Sequence, residues 1–219
     1  VNYAQLSELI QSYTQNYETT FVATIPTFVK QAEQRIYNTV QLPVQRKNQT
    51  GQCTSGNQYL ALPVTSGTTT GNWLSTFSLA VLNPTTNEYD YLLNKDVNFI
   101  RQAFPFPAVT GKPEYYAIFD QNTLILGPTP DVVYTLEMHY NAYPPSIVDS
   151  STSWLGDNFD TVLLYGALVQ AYIFMKGEAD VLQMYDNSYK EALMQLKRLS
   201  DGLDRQDAYR SGQTRIPVS

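Results

Sequence analysis

One cysteine and one histidine in 219 residues leave little room for metal or redox chemistry. Cys53 has no second cysteine to bridge to, so the fold does not rest on oxidation and suits assembly in a reducing compartment. The pair cannot supply an ordinary Cys/His zinc site. A Ser-His-Asp triad would have to use His139 with no G-x-S-x-G elbow to present its nucleophile. His139 therefore reads as a strand-surface histidine and Cys53 as a small apolar residue. Charge is also sparse: Asp, Glu, Lys and Arg make up 16% of the chain and the net charge is −6. This excludes a broad basic face that would grip phosphates. Long apolar runs are missing too. The most apolar segment, Thr161 to Met175, falls short of the about 20 residues of a membrane span, and it carries Gln170 inside with Asp160 and Lys176 at its edges. The amphipathic opening VNYAQLSELIQSY has neither the basic start nor the apolar core of a secretory signal, so the mature chain is expected to begin near its gene start.

What remains points to contact surfaces rather than catalysis. Seventeen tyrosines are many for this length, and Tyr concentrates where one end of a side chain is buried and the other wet. Gly111-Lys112 has the look of the end of a phosphate loop, but Pro113 stands where a Ser or Thr should bind magnesium and Phe106 where the first glycine belongs. Glu88 and Asp90, two apart in a strand, form the kind of carboxylate pair a glycosidase uses, with nothing to raise the pKa of either. Asp149, Asp157 and Asp160 could sketch a hard-cation site, yet loop and helix-cap roles account for all three. The sequence thus implies no enzyme, no cofactor and no metal.

Periodicity divides the chain. Tyr3, Leu6, Leu9, Ile10 and Tyr13 fall at helical spacing, as do Phe28, Ala32, Ile36 and Val40, with Thr24 as candidate cap, Pro26 in the first turn and Pro43 as the stop. From there short apolar runs between Thr, Gly, Asn and Pro read as strands: QYLALPV, WLSTFSLAVL, EYDYLL, EYYAIFD, TLILGP and VVYTLEMHYNAY. Asp120 to Asn122 reads as a hairpin turn, Gly67 to Gly71 as a longer loop, and Asp96 to Phe104 as a short helix. Helical spacing returns in TVLLYGALVQAYIFM, capped by Asp157 and ended at Lys176-Gly177. Being apolar nearly all round, this helix must be packed on every side, and Gly166, Ala167 and Ala171 would let another backbone come close. Leu182, Tyr185, Tyr189, Ala192, Leu196, Leu199 and Leu203 then form a heptad-like seam. The expected fold is α+β: a bundle of about four helices from residues 1–43 and 144–203, a strand-rich insertion at 44–143 between the second and third helices, and an extended C-terminal tail at 204–219.

Several of these stretches together resemble the head-to-tail adaptor, or connector, proteins of tailed bacteriophages, especially short-tailed ones. The resemblance is carried by YAQLSELIQSY; by FVATIPTFVKQAEQRI with Phe21, Ile25-Pro26, Phe28, Ala32-Glu33 and Arg35-Ile36; by Ser153-Trp154-Leu155; and by LLYGALVQAYIFMKGEAD ahead of YKEAL. It implies a structural virion protein of the neck at the portal vertex, made in the host cytoplasm. It also implies a ring, commonly a dodecamer, beneath the portal protein. Such a ring carries a downstream tail or nozzle protein and leaves a channel through which DNA passes without sequence-specific binding. On this reading Glu33 and Arg35 make contacts between helices or between subunits. Tyr209, Arg210, Arg215 and Ile216 in the tail dock into the portal and become ordered there. The competing reading is a tyrosine-rich carbohydrate-binding module of a phage tail component, with tyrosines stacking on sugars. Neither reading involves a membrane.

Overall fold

The computed structural model describes residues 1–63, 73–83, 86 and 88–204. In chain order, helices α1 (Tyr3–Thr14) and α2 (Thr19–Thr39) lead through a single 3-10 turn, Pro43–Gln45, into strands β1 (Arg46–Gln52), β2 (Tyr59–Ala61), β3 (Trp73–Leu82), β4 (Tyr89–Tyr91) and β5 (Leu93–Asn94). Helix α3 (Val97–Ala103) precedes β6 (Thr110–Gly111), β7 (Tyr115–Asp120), β8 (Thr123–Gly127), β9 (Thr129–Pro130) and β10 (Thr135–Ala142). The chain then forms α4 (Ile147–Ser150), α5 (Trp154–Asn158), α6 (Asp160–Met175) and α7 (Ala179–Asp204). The class is α+β. Two compact units result, a helical one built from Val1–Val44 and the chain from Pro145, and a strand-rich one, Gln45–Pro144.

In the helical unit α6 is central, packed by α1, α2, α5 and α7. Val162, Leu163, Gly166, Ala167, Leu168, Val169 and Ala171 are all buried, and the helix surfaces at its two ends, at Asp160 and Thr161 and again at Ile173 and Phe174, which are about half exposed. A Cβ built on Gly166 would lie 3.1 Å from both Ala32 Cβ and a ring carbon of Tyr189, so the glycine sets how closely α2 and α7 approach α6. The helix starts without a side-chain cap. Asp157, expected to cap it, lies in α5, which Ser153 caps by accepting the Gly156 N–H at 3.1 Å. At the other end Lys176, not Gly177, takes the left-handed conformation. Gly177 is needed because a side chain there would meet the Tyr172 ring at 2.5 Å.

Helix α2 begins five residues before the expected cap. Thr24 lies inside it and its hydroxyl donates back to the Thr20 carbonyl at 2.8 Å, while Pro26 is well past the first turn. The proline leaves the Val22 carbonyl without its helical donor. The extra turns are instead held by burial of Phe21 and Ile25, with Phe21, Phe28 and Phe174 clustered at centroid distances of 5.4 to 6.4 Å. The seam of α7 also drifts from its heptad. Tyr185, Tyr189, Ala192 and Leu196 are buried, but the next inward residue is Ser200, whose hydroxyl donates to the Gln41 carbonyl, and Leu199 is exposed. A straight helix at 3.6 residues per turn slips past a 3.5-residue repeat, which is why the polar residue ends up inside.

The strand-rich unit is a sandwich of two four-stranded sheets, ordered β1-β10-β3-β4 and β2-β8-β7-β5, with a small parallel β6-β9 pair. Their facing sides share one core that includes Leu79, Val81, Leu136, Met138, Leu124, Leu126 and Tyr116. On the far side of the second sheet α3 covers Ala117 and Ile125 with Ile100, Val97 and Phe104. TLILG is therefore apolar throughout because both of its faces are buried. In β10 buried residues alternate strictly with partly exposed Thr135, Glu137, His139 and Asn141. The hairpin turn at Asp120–Asn122 forms as expected, with the Asp120 carboxylate accepting the Asn122 N–H at 2.7 Å. Asp96 caps α3 through the Asn98 N–H at 2.7 Å. The loop expected at Gly67 to Gly71 lies outside the described residues.

Candidate interaction surfaces

Residues two apart on a helix point to different sides, and Glu33 and Arg35 of α2 reach two different neighbours. Glu33 is 4% exposed, and its carboxylate accepts the Ile147 N–H at 2.9 Å. Ser146 takes the next donor, Val148 N–H, at 3.2 Å, so two side chains together satisfy the start of α4. One turn earlier on α2, Lys30 pairs with Asp149 at 2.9 Å. Arg35 turns instead to α7, its guanidinium 4.6 Å from the centroid of the Tyr189 ring and 3.9 Å from the Asp186 carboxylate. Both contacts join helices within one subunit.

Burial is the largest influence on Glu33 and raises its pKa. The hydrogen bonds from Ile147 and Ser146 and the nearby Lys30 pull the other way, while Asp149 adds to the rise. A carboxyl raised on folding binds more protons in the native than in the unfolded chain. Its contribution is then fully present below the ordinary Glu pKa and is lost as pH climbs through the raised native value. We expect Glu33→Gln, which keeps an acceptor for Ile147, to melt with wild type below the ordinary Glu pKa and above it at pH 7. Glu33→Ala should cost about 1–3 kcal/mol at either pH, because the buried N–H loses its acceptor. Thermal melts of the three proteins at the two pH values check both statements. A wild type that gains on Glu33→Gln as pH rises would contradict them.

The shared core uses up the inner faces of the sandwich, so the two outer faces look in opposite directions. On the α3 side, Arg101 lies 5.5 Å from the centroid of Phe119 and Lys95 lies 5.3 Å from that of Phe99. Phe119 packs tilted against Tyr59 at 5.1 Å, and Phe99 meets the Tyr115 ring edge-on at 5.4 Å. Among the described residues neither Lys95 nor Arg101 makes an ion pair. The opposite face centres on Glu137, which accepts from Asn48 Nδ2 at 2.6 Å and from the Tyr89 hydroxyl. Those bonds, with His139 nearby, lower the Glu137 pKa and keep it ionised, while donating to it raises that of Tyr89. Tyr91 stands beside it in register, through Ala80, and is 69% exposed, the most exposed ring on this face. Phe77 lies across a bulge, between His139 at 5.5 Å and Arg46 at 5.0 Å. Exposed aromatics with Arg are the composition of protein–protein contacts. Sequence reading did not single out these clusters. The outward phase of the strands and the four-residue spacing of Lys95 and Phe99 were the available signals.

The remaining candidates separate. Asp90 is tied to Lys112 at 2.7 Å, and Glu88 lies outside β4. Asp149 pairs with Lys30, Asp157 is in α5 and Asp160 begins α6. Among the described residues no three His, Cys, Asp or Glu side chains gather as a metal site, and no helix is long and apolar enough to cross a membrane. Cys53 is buried, its sulfur accepting the Tyr134 N–H at 3.3 Å, and burial pushes its thiol up. Tyr209, Arg210, Arg215 and Ile216 lie outside the described residues.

The model of a family described as SU10 adaptor protein matches residues 1–216. A search of curated proteins found no match.

Proposed function

This chain belongs to the SU10 adaptor protein family and so is a phage structural adaptor; from that premise we propose that it forms a ring beneath the portal of a tailed, short-tailed phage. The ring, a dodecamer on this reading, joins portal protein to a downstream tail or nozzle protein and leaves a channel for DNA. The observation that carries the reading is the extent of the family match, which runs through both units rather than one. Net charge supports it, since an acidic channel lets DNA slide without sticking. So do the two aromatic outer faces, which offer lateral contacts. The subunit is made in the host cytoplasm, takes its place in the neck of the virion, and does mechanical and docking work rather than catalysis.

Carbohydrate recognition has less behind it. Trp73 is partly buried against the sandwich core with its indole N–H donating to Thr76 at 2.9 Å, and Trp154 is partly buried in α5, so neither is an open stacking platform. Electron microscopy of the chain mixed with its portal is the direct test. Class averages should gain a ring of density below the portal. A chain that never joins the portal, and is instead retained as a monomer on a glycan column, would overturn the adaptor reading.

A further inference from the structure

We infer that the two outer faces of the sandwich in the strand-rich unit meet head to tail between neighbouring copies of this chain, the α3 face of one copy against the Glu137 face of the next. The inference rests on the ring reading and assigns the surfaces that would close it.

Three observations carry it. First, the faces lie on opposite sides of one rigid core, which a contact repeated around a ring requires, because each copy must offer one surface forward and a different one behind. Second, their chemistry is complementary and not self-complementary. Lys95 and Arg101 rest on Phe99 and Phe119 with no carboxylate partner among the described residues. The other face holds an anionic carboxylate fixed by Asn48 and Tyr89, with the Tyr91 ring open beside it. Two α3 faces brought together would oppose Lys95 and Arg101 to their own copies, the nearby Asp96 and Asp120 carboxylates being already engaged by the Asn98 and Asn122 N–H groups, which disfavours a two-fold dimer. Third, both faces expose rings able to stack and to receive cations: Phe119 and Phe99 are 39% and 40% exposed, Tyr89 and Tyr91 50% and 69%. A phosphate backbone is the less suited occupant of the cationic face, since Asp96 and Asp120 adjoin Lys95 and Phe119 in the chain and would repel it.

Two full-length variants test the assignment. One carries Lys95→Glu with Arg101→Glu and disables the α3 face; the other carries Glu137→Ala with Tyr91→Ser and disables the opposite face without offering a cation to the reversed charges of the first. All four positions are on the surface, and matching thermal melts confirm that each variant folds. Oligomers are sized by native mass spectrometry, on the portal if the free wild type stays monomeric. Each variant alone should lose at least tenfold of the wild-type oligomer. Mixed in equal amounts, they should form a dimer and nothing larger, because one intact copy of each face remains to meet. Either variant assembling as wild type does would overturn the inference, as would a mixture that gives no dimer. So would a Lys95→Glu, Arg101→Glu variant that assembles normally but loses binding to a DNA duplex, which would give the cationic face to nucleic acid. A wild type that forms no ring even on the portal sinks the ring reading itself, and that outcome differs from the others.

Discussion

Leu168→Asp is expected to abolish soluble folding. Leu168 is 0% exposed at the middle of α6, which neighbouring helices enclose. Deleting a buried leucine alone costs about 2–5 kcal/mol. A carboxylate placed there would have no partner, and an uncompensated buried charge costs several kcal/mol more. The sum is on the order of the about 5–15 kcal/mol that holds a domain folded. Gly166→Trp should do the same by overpacking, since a bare Cβ already stands 3.1 Å from Ala32 and Tyr189. Ile173→Asp is the control: at 55% exposed on the same helix, it should leave the protein soluble. Soluble yield and thermal melting decide. A Leu168→Asp protein that melts like wild type would mean that α6 is not the core of the helical unit.

Cutting the chain after Asp204 is expected to preserve the helical unit and abolish attachment to the portal. Sequence reading starts the tail at 204, whereas α7 runs through Asp204, so the cut belongs after that residue. The last buried contact described on α7 is Ser200, and the removed segment has no apolar period with which to pack. Tyr209, Arg210, Arg215 and Ile216 are anchor-type side chains. After Asp207 the only charged side chains are Arg210 and Arg215, which suits an acidic partner surface, and the TRIPV stretch could add as a strand to a sheet edge, with Pro217 ending the pairing after Ile216. On the proposed ring, even weak individual contacts would hold firmly when multiplied around it, and removing them from every copy would remove the avidity as well. The truncated chain should melt within a few degrees of wild type yet fail to co-sediment with portal. Normal co-sedimentation would refute the role given to the tail.

Much of the fold could be read from the residues because burial imposes a period. The alternation from Leu136 to Ala142 marks β10, the apolar girth of Thr161–Met175 marks a central helix that is enclosed along its middle and surfaces only towards its ends, and Gly166 marks a close approach. Strand β1, RKNQTGQ, was invisible for the same reason: it lies on a sheet edge, nearly all of its side chains are exposed, and its place is fixed by backbone bonds to β10 that any sequence can make. The early start of α2 was hidden because local rules put Pro26 in a first turn, while Phe21 and Ile25 gain more from burial than the lost hydrogen bond costs.

By itself, then, the sequence determined the class of the fold, the helices that form its core, and the poverty of catalytic side chains, since each of these depends on composition or on spacing along one element. Only the tertiary structure decided which residues share a face. Glu33 reaches a backbone donor 114 residues away. Glu137 meets Asn48 across 89 residues. Lys95 and Arg101 share one side of a sandwich whose other side exposes Tyr91. Such juxtapositions follow from strand order and helix packing, which are set by the summed burial of the whole core and leave no local mark on the chain.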